Sequence, residues 1–210
     1  MHRRLILTGG SLLGLGFALP GLSQTSPQLD QVKPYLQVKP IPGEEKTVRV
    51  FFSPQCQYSK MYLHFFRNLA SSLPDDKRLV YTPLVNKGDG ISYAMAFAAV
   101  QRYFPAYLDN FIEVSMIGAQ DKGISTSNWV GIERMGLASK LPVSLPKLVR
   151  DNSLQVVKDV ELYVSVRHNL QVINTPAVAV AGTYVVTPEF TKGDAALFSQ
   201  LVNGIISMAR

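Results

Sequence analysis

The sequence predicts an α/β fold in which a block of helices interrupts a small set of strands. Short runs rich in β-branched and aromatic residues lie near both ends of the predicted domain, and the stretch between them carries apolar residues at helical spacing. With 210 residues, 47% of them hydrophobic and 17% charged, the chain can form one domain with a substantial core.

The predicted strands are short runs bounded by Gly, Pro or Ser. The clearest is residues 47–52, whose sequence Thr-Val-Arg-Val-Phe-Phe is typical of a buried strand. A hairpin is indicated near the end of the chain, where Ala181-Gly182-Thr183 joins two such runs. Strands are therefore expected at residues 35–38, 47–52, 79–82, 177–180 and 184–186, with a turn at 40–45.

Helices are predicted where apolar residues recur every three or four positions. They cover residues 60–72, 91–103, 107–117, a segment from N-caps at Ser125-Thr126-Ser127 to about 137, 145–170 in two pieces, and 194–208. The element order is strand, helix, strand, a helical block at about residues 88–172, hairpin and helix. This block is too long for a simple crossover and too well capped for a loop, so we interpret it as an inserted subdomain.

The first 23 residues have the three-part pattern of a secretory signal peptide. Arg3 and Arg4 form a basic start, residues 5–19 are apolar and uncharged, and small residues precede a cleavage point after Ser23. The alternative is a short N-terminal membrane anchor, and the arginine pair leaves both general and twin-arginine export open. The predicted organisation is a signal peptide at 1–23, an extension with the first short strand at 24–45, and the main domain at 46–210.

The charge of the chain gives no sign of a nucleic-acid partner. The signal segment holds two of the 21 basic residues and none of the 15 acidic ones, so the remaining chain has a net charge of +4. This excess is spread along the sequence, without a basic stripe or a recognisable nucleic-acid module. Three histidines, one of them in the signal, show no metal-ligand spacing, so no metal or other cofactor is predicted.

Cysteine usage is unusual for an exported protein, because Cys56 is the only cysteine of the chain. Exported proteins meet an oxidising compartment, where cysteines normally pair. An unpaired cysteine indicates either a partner in another molecule or a free thiol with a function, and a buried, inert cysteine is the third interpretation. The residues around Cys56 favour a functional thiol.

The segment around Cys56 resembles the active-site segment of DsbA-type periplasmic disulfide oxidoreductases. In that family a strand ending in Phe-Phe-Ser leads to a Cys-x-x-Cys motif at the start of a helix, and here residues 50–59 read Val-Phe-Phe-Ser-Pro-Gln-Cys-Gln-Tyr-Ser. Residues 174–178, Asn-Thr-Pro-Ala-Val, are similar to the cis-proline loop that these proteins place against the cysteine, with a threonine more like that of the isomerase relative DsbC. The resemblance spans roughly residues 35–208. The departure is Ser59, which stands where the family has its second cysteine.

The resemblance implies a thioredoxin fold with an inserted helical subdomain, a periplasmic location, and catalysis by Cys56 with Ser59. A thiol at the first turn of a helix faces unpaired N–H groups and the positive end of the helix dipole, and both favour the thiolate. Ser59, three residues on, either reaches the sulfur or serves only as a helix N-cap. Substrate binding is implied for four residues: Gln57, Tyr58, Thr175 and Pro176, the last in a cis peptide bond or, in the alternative, an ordinary trans one.

The missing second cysteine limits the chemistry. In a dithiol enzyme the second cysteine attacks the mixed disulfide and releases the substrate. With Cys56 alone, a thiol of the substrate or an outside thiol must complete the reaction, so the sequence favours isomerase-like or glutathione-assisted monothiol exchange and excludes a dithiol oxidase. The expected partners are substrate proteins with thiols or disulfides, and a membrane or small-molecule thiol redox partner.

A second interpretation is a redox-inactive thioredoxin-fold binding or chaperone module of an envelope secretion or conjugation system. Cys56 at the predicted helix start favours exchange chemistry, whereas the missing partner cysteine favours the binding module. Residues 24–45 are too short for the dimerisation domain that isomerase relatives carry, which counts against a full isomerase.

Overall fold

A five-stranded sheet forms the centre of the computed structural model, which describes residues 33–85 and 90–209. The strand order is β1-β5-β4-β2-β3; β2 and β3 are parallel and the other neighbours are antiparallel. The predicted signal peptide lies outside the described residues. All the predicted strand regions are confirmed: β1 at Leu36–Gln37, β2 at Thr47–Phe52, β3 at Arg78–Pro83, β4 at Ala177–Val180 and β5 at Tyr184–Val186.

Five of the eight helices in the described ranges lie between β3 and β4 in the chain, which confirms the predicted α/β class with a helical insertion. In the described part of the chain, no helix is both long and apolar enough to cross a membrane. The helices are α1 at Gln57–Met61, α2 at Leu63–Ser72, α3 at Ile91–Tyr103, α4 at Leu108–Asp121, α5 at Trp129–Ala138, α6 at Leu145–Asp151, α7 at Ser153–Asn169 and α8 at Ala195–Met208, with short 3-10 turns at Pro105–Tyr107 and Pro188–Thr191.

The helix predicted at residues 60–72 is divided into α1 and α2. Tyr62 separates them with a backbone of φ −89° and ψ 0°, and its N–H donates to the Tyr58 carbonyl at 3.0 Å. The junction buries the Tyr62 ring, which packs edge-on against Phe198 of α8 at 4.9 Å between ring centroids. Helical spacing in the sequence does not show this break, because the apolar pattern continues through it.

The predicted N-caps of α5 are wrong. The cap is Asn128, whose side-chain oxygen accepts a hydrogen bond from the Gly131 N–H at 2.8 Å. Ser125 instead closes a turn before the helix, since its Oγ accepts the Ser127 N–H at 3.2 Å and contacts the Ser127 hydroxyl at 2.9 Å. Serine and asparagine cap helices equally well, so composition alone does not choose between them.

Strand β2 is buried on both faces, and the two faces contact different clusters of apolar residues. Val48, Val50 and Phe52 belong to the larger cluster, which α8 and the helices of the insertion share. Phe51 points the other way, into a smaller cluster with residues of β4, β5 and the end of α7. The strand therefore ends at a fixed position, from which the turn to α1 starts.

Arg49 is the charged exception on β2, and it is only 5% exposed. Its guanidinium donates to both carboxylate oxygens of Glu44, at 3.1 and 2.6 Å, and to the Thr82 hydroxyl at 2.7 Å. A buried charge is tolerated only when it is paired and hydrogen-bonded in this way.

Candidate functional site at the start of helix α1

Cys56 is the N-cap of α1, at the end of the turn that follows β2. Its backbone is extended, with φ −85° and ψ 115°, and its N–H donates to the Ser53 carbonyl at 3.1 Å. Pro54 lacks the N–H that further strand pairing needs, and the Gln55 N–H donates to the Ser53 Oγ at 3.3 Å. The local sequence thus places a partly exposed thiol at the first turn of a helix.

The sulfur of Cys56 lies beside the loop before β4. The thiol donates to the Thr175 carbonyl oxygen, with 3.1 Å between the Cys56 Sγ and the oxygen, across 119 residues of sequence. The peptide bond between Thr175 and Pro176 is cis. The fold therefore brings together the two segments that the sequence analysis singled out.

Ser59 lies in α1, three residues after Cys56, and is fully buried. Its Oγ accepts a hydrogen bond from the Ser53 N–H at 3.3 Å, so Ser59 ties the first residue of the turn to α1. The hydrogen bond of the sulfur goes to Thr175 instead. The predicted contact between Ser59 and the sulfur is not among the hydrogen bonds of the described residues.

Gln57 and Tyr58 both face solvent, and Tyr58 lines an open cavity beside the site. The cavity has a volume of about 370 Å³. Its other walls are Thr175 and the loop after β5, namely Pro188, Glu189, Lys192 and Gly193. Gln57 is exposed but is not one of the residues that line this cavity.

Tyr62 is a site-supporting residue that the sequence analysis did not identify. Its hydroxyl donates to the Gly193 carbonyl at 3.4 Å, which joins the α1–α2 junction to the loop that lines the cavity. Burial raises the pKa of Tyr62, and the nearby Asp194 and Tyr58 raise it further. The hydroxyl therefore stays protonated, and a donor, well above neutral pH.

The end of α4, which belongs to the helical insertion, contacts the turn between β2 and α1, residues 53–56, which we call the Cys56 turn. The Gln120 Nε2 donates to the Pro54 carbonyl at 2.7 Å and to the Cys56 carbonyl at 3.1 Å. The next residue, Asp121, pairs through both carboxylate oxygens with the Lys60 Nζ at 2.6 Å. Neither residue was identified from the sequence, because each lies more than 60 residues after its partners and is itself part of no motif.

The two segments that meet at the sulfur, residues 53–59 and 174–176, contain no Asp, Glu, Lys, Arg or His, and the charged residues of the cavity wall are Glu189 and Lys192. Within residues 33–85 and 90–209, no group of three His, Cys, Asp or Glu side chains could hold a metal ion. What the site offers is one partly exposed thiol bonded to the carbonyl of Thr175, which lines an open cavity. Such an arrangement can form a mixed disulfide with a thiol or disulfide that approaches from the cavity.

No protein-family model matches the chain, and no curated protein matches it in sequence. In structure it is similar to a DsbA variant from Pseudomonas aeruginosa, with a TM-score of 0.70 at 15% identity over 83% of this chain and 95% of that one. A DsbA variant from Proteus mirabilis with a non-covalently bound peptide gives 0.67 at 17% identity, over 84% and 97% of the two chains. DsbL from Salmonella enterica serovar Typhimurium gives 0.63 at 18% identity, over 82% and 94%. These similarities establish the fold of the chain as a thioredoxin fold with an inserted helical subdomain, like that of DsbA.

Proposed function

We propose that this chain is a periplasmic thiol–disulfide exchange protein that acts through Cys56 alone. The observation that carries the proposal is the position of the Cys56 sulfur, 3.1 Å from the carbonyl of Thr175, a residue that lines an open cavity. The fold supports it as an analogy, since the structural neighbours are disulfide oxidoreductases. The signal-peptide pattern of residues 1–23 supports the periplasmic location.

The proposed reaction starts when the Cys56 thiolate attacks one sulfur of a substrate disulfide. A new S–S bond joins Cys56 to the substrate, and the other substrate sulfur leaves with the electron pair of the broken bond as a thiolate. In the isomerase-like route, a second thiolate of the substrate attacks the mixed disulfide and expels the Cys56 thiolate, so nothing is oxidised or reduced overall. In the assisted route, a glutathione thiolate attacks the substrate sulfur of the mixed disulfide, so a substrate–glutathione disulfide forms and Cys56 leaves as a thiolate.

The remaining site residues have supporting roles in this proposal. Ser59 steadies the turn that carries Cys56, through its bond with the Ser53 N–H. The backbone of Thr175 and Pro176 holds an extended substrate chain, while Tyr58 contacts it in the cavity. Gln57, which is exposed beside Cys56, contacts the part of the substrate that lies outside the cavity. A polypeptide substrate agrees with the peptide bound to the Proteus mirabilis protein.

The test compares the purified protein with its Cys56→Ser variant in the reactivation of ribonuclease whose disulfides have been scrambled. We expect the wild-type protein to accelerate reactivation roughly tenfold or more, with or without glutathione, and the variant to match the buffer rate. Mass spectrometry without added thiol should also show a mixed disulfide between Cys56 and ribonuclease, which glutathione removes.

Equal reactivation by the protein and the variant, together with no mixed disulfide, would contradict exchange chemistry. Acceleration only when glutathione is present would instead assign the assisted route. The variant replaces one sulfur by oxygen in a partly exposed side chain. Equal circular dichroism spectra of the two proteins would show that the variant keeps the fold.

A further inference from the structure

We infer that Gln120 is a positioning residue, through which the helical insertion holds the Cys56 turn in its reactive arrangement. Its effect on substrate exchange rests on the proposed function. The observation is that one side-chain amide donates to two carbonyls of the turn, at 2.7 Å to Pro54 and at 3.1 Å to Cys56.

The two carbonyls that accept these hydrogen bonds lie on either side of Gln55, so the bonds fix the path of the backbone through the turn. Within the described part of the chain, no main-chain N–H donates to the Pro54 carbonyl, so Gln120 is its hydrogen-bond donor. The Cys56 carbonyl also accepts the Lys60 N–H at 3.3 Å, as the first hydrogen bond of α1. One side chain therefore joins the middle of the turn to the start of the helix.

Gln120 is better suited to this role than its charged neighbour. Asp121 and Lys60 form an ion pair whose side chains are 46% and 35% exposed, and exposed pairs contribute little. The Gln120 side chain is half-buried, and its acceptors are backbone atoms that cannot move away without moving the turn. It contacts the same peptide units that orient the Cys56 side chain.

The position of the sulfur depends on this turn. The Cys56 N–H bonds to the Ser53 carbonyl, and the sulfur lies at the start of α1, where the first N–H groups of a helix have no partner within it. Among the hydrogen bonds of residues 33–85 and 90–209, the sulfur bonds to the Thr175 carbonyl and accepts none from these N–H groups, so what the start of α1 offers a thiolate is its partial positive charge. A turn without Gln120 can move the sulfur away from that charge, which disfavours the thiolate. The expected result is a less reactive thiol in a protein whose core is unchanged.

The experiment uses the Gln120→Leu and Gln120→Asn variants of the full protein, with Gln101→Leu as the matched control. Gln101 is also half-buried and makes two hydrogen bonds. Its Nε2 donates to the Tyr81 carbonyl at 3.3 Å, and its Oε1 accepts from the Tyr163 hydroxyl at 2.7 Å. Two quantities are measured: the rate of Cys56 alkylation by iodoacetamide from pH 5 to 9, and the hydrogen exchange of backbone amides at residues 53–58.

Both Gln120 variants should alkylate about three- to tenfold more slowly at pH 7, with the midpoint of the pH–rate curve moved upward and faster hydrogen exchange in the turn. Gln101→Leu should keep the wild-type curve and the wild-type exchange in residues 53–58. Asparagine is one methylene shorter than glutamine and cannot reach both carbonyls, so it decides the outcome if the leucine variant fails to fold.

Gln120 variants with a wild-type pH–rate curve and wild-type exchange in the turn would overturn the inference, even if their melting temperature falls. Iodoacetamide needs no substrate binding. The inference can therefore hold or fail whether or not the wild-type protein exchanges ribonuclease disulfides, and the two failures are distinguishable.

Discussion

The two segments that flank β2 are held by different kinds of interaction. Before and within the strand, Glu44 and Arg49 form a buried, bidentate ion pair. After the strand, the turn to Cys56 is held by neutral hydrogen bonds, one that Ser59 accepts and two that Gln120 donates. An ion pair therefore holds the segment before and within β2, which has no proposed role in catalysis. Uncharged groups hold the segment after β2, which carries the sulfur of Cys56.

This difference indicates how the site can be altered without unfolding the protein. A buried ion pair resists change, because removal of one partner leaves the other charge in an apolar interior. Neutral hydrogen bonds are individually worth about 1 kcal/mol, so each can be removed at a cost that a folded domain tolerates. Stability and thiol reactivity should accordingly respond to different substitutions.

The largest expected effect is that of Glu44→Gln. The variant leaves the guanidinium of Arg49, whose side chain is 6% exposed, without its counter-charge, and the free energy of unfolding should fall by about 3 to 5 kcal/mol. Urea denaturation followed by circular dichroism measures the change. In native buffer the alkylation rate of Cys56 should stay within about twofold of the wild-type rate, because the pair touches no residue of the site.

The control for this variant replaces both charges, with Glu44→Gln and Arg49→Met together. Removal of the whole pair should restore much of the lost stability, since no unpaired charge remains buried. A single variant as stable as the wild-type protein, or a double variant less stable than the single one, would show that the ion pair does not hold this segment.

The part of the site that follows from local sequence was predictable. Residues 47–52 are β-branched and aromatic, a proline stops the pairing, and apolar spacing starts a helix directly afterwards, so the position of Cys56 at the strand–helix turn needs no tertiary information. The same holds for the N-cap of α8, where Asp194 accepts the Leu197 N–H at 2.9 Å as the predicted helix start requires.

The part of the site that depends on packing between distant segments was not predictable. Gln120 lies at the end of a helix that extends to Asp121, beyond the predicted end at 117, and its two acceptors are 66 and 64 residues earlier. Glutamine has no pattern that marks such a role. Tyr62 was not identified for a related reason. It lies at the break between α1 and α2, where its ring packs against Phe198 of α8, a contact between distant parts of the chain.

An intermediate effect is expected for Ser59→Ala. The variant removes the acceptor of the Ser53 N–H at a fully buried position that water cannot reach, so the free energy of unfolding should fall by about 1 to 3 kcal/mol. Urea denaturation again provides the measurement. Ser71→Ala is the matched control, since the Ser71 hydroxyl is exposed and bonds to a helix carbonyl, and its effect should stay within about 0.5 kcal/mol. Equal effects of the two substitutions would show that Ser59 does not hold the turn.

The smallest effect is expected for Asp121→Asn. The ion pair with Lys60 is exposed to solvent, and its loss should lower the free energy of unfolding by less than about 1 kcal/mol. Denaturation at low and at high salt checks this, because the difference between variant and wild type should shrink as salt screens the pair. A loss above about 2 kcal/mol, independent of salt, would show that the Lys60–Asp121 ion pair stabilises the structure next to the site. The segments before and after β2 would then both depend on an ion pair.

Because Cys56 is the only cysteine of the chain, the protein cannot form a disulfide within itself. Every copy oxidised to a disulfide must carry a second molecule bound through its sulfur. The mass of the intact protein, isolated from cells under conditions that block free thiols, would then identify the compounds and proteins that it meets in its own compartment. In a dithiol protein, formation of the internal disulfide releases the bound molecule. In this chain the molecule stays attached to Cys56 until another thiol releases it.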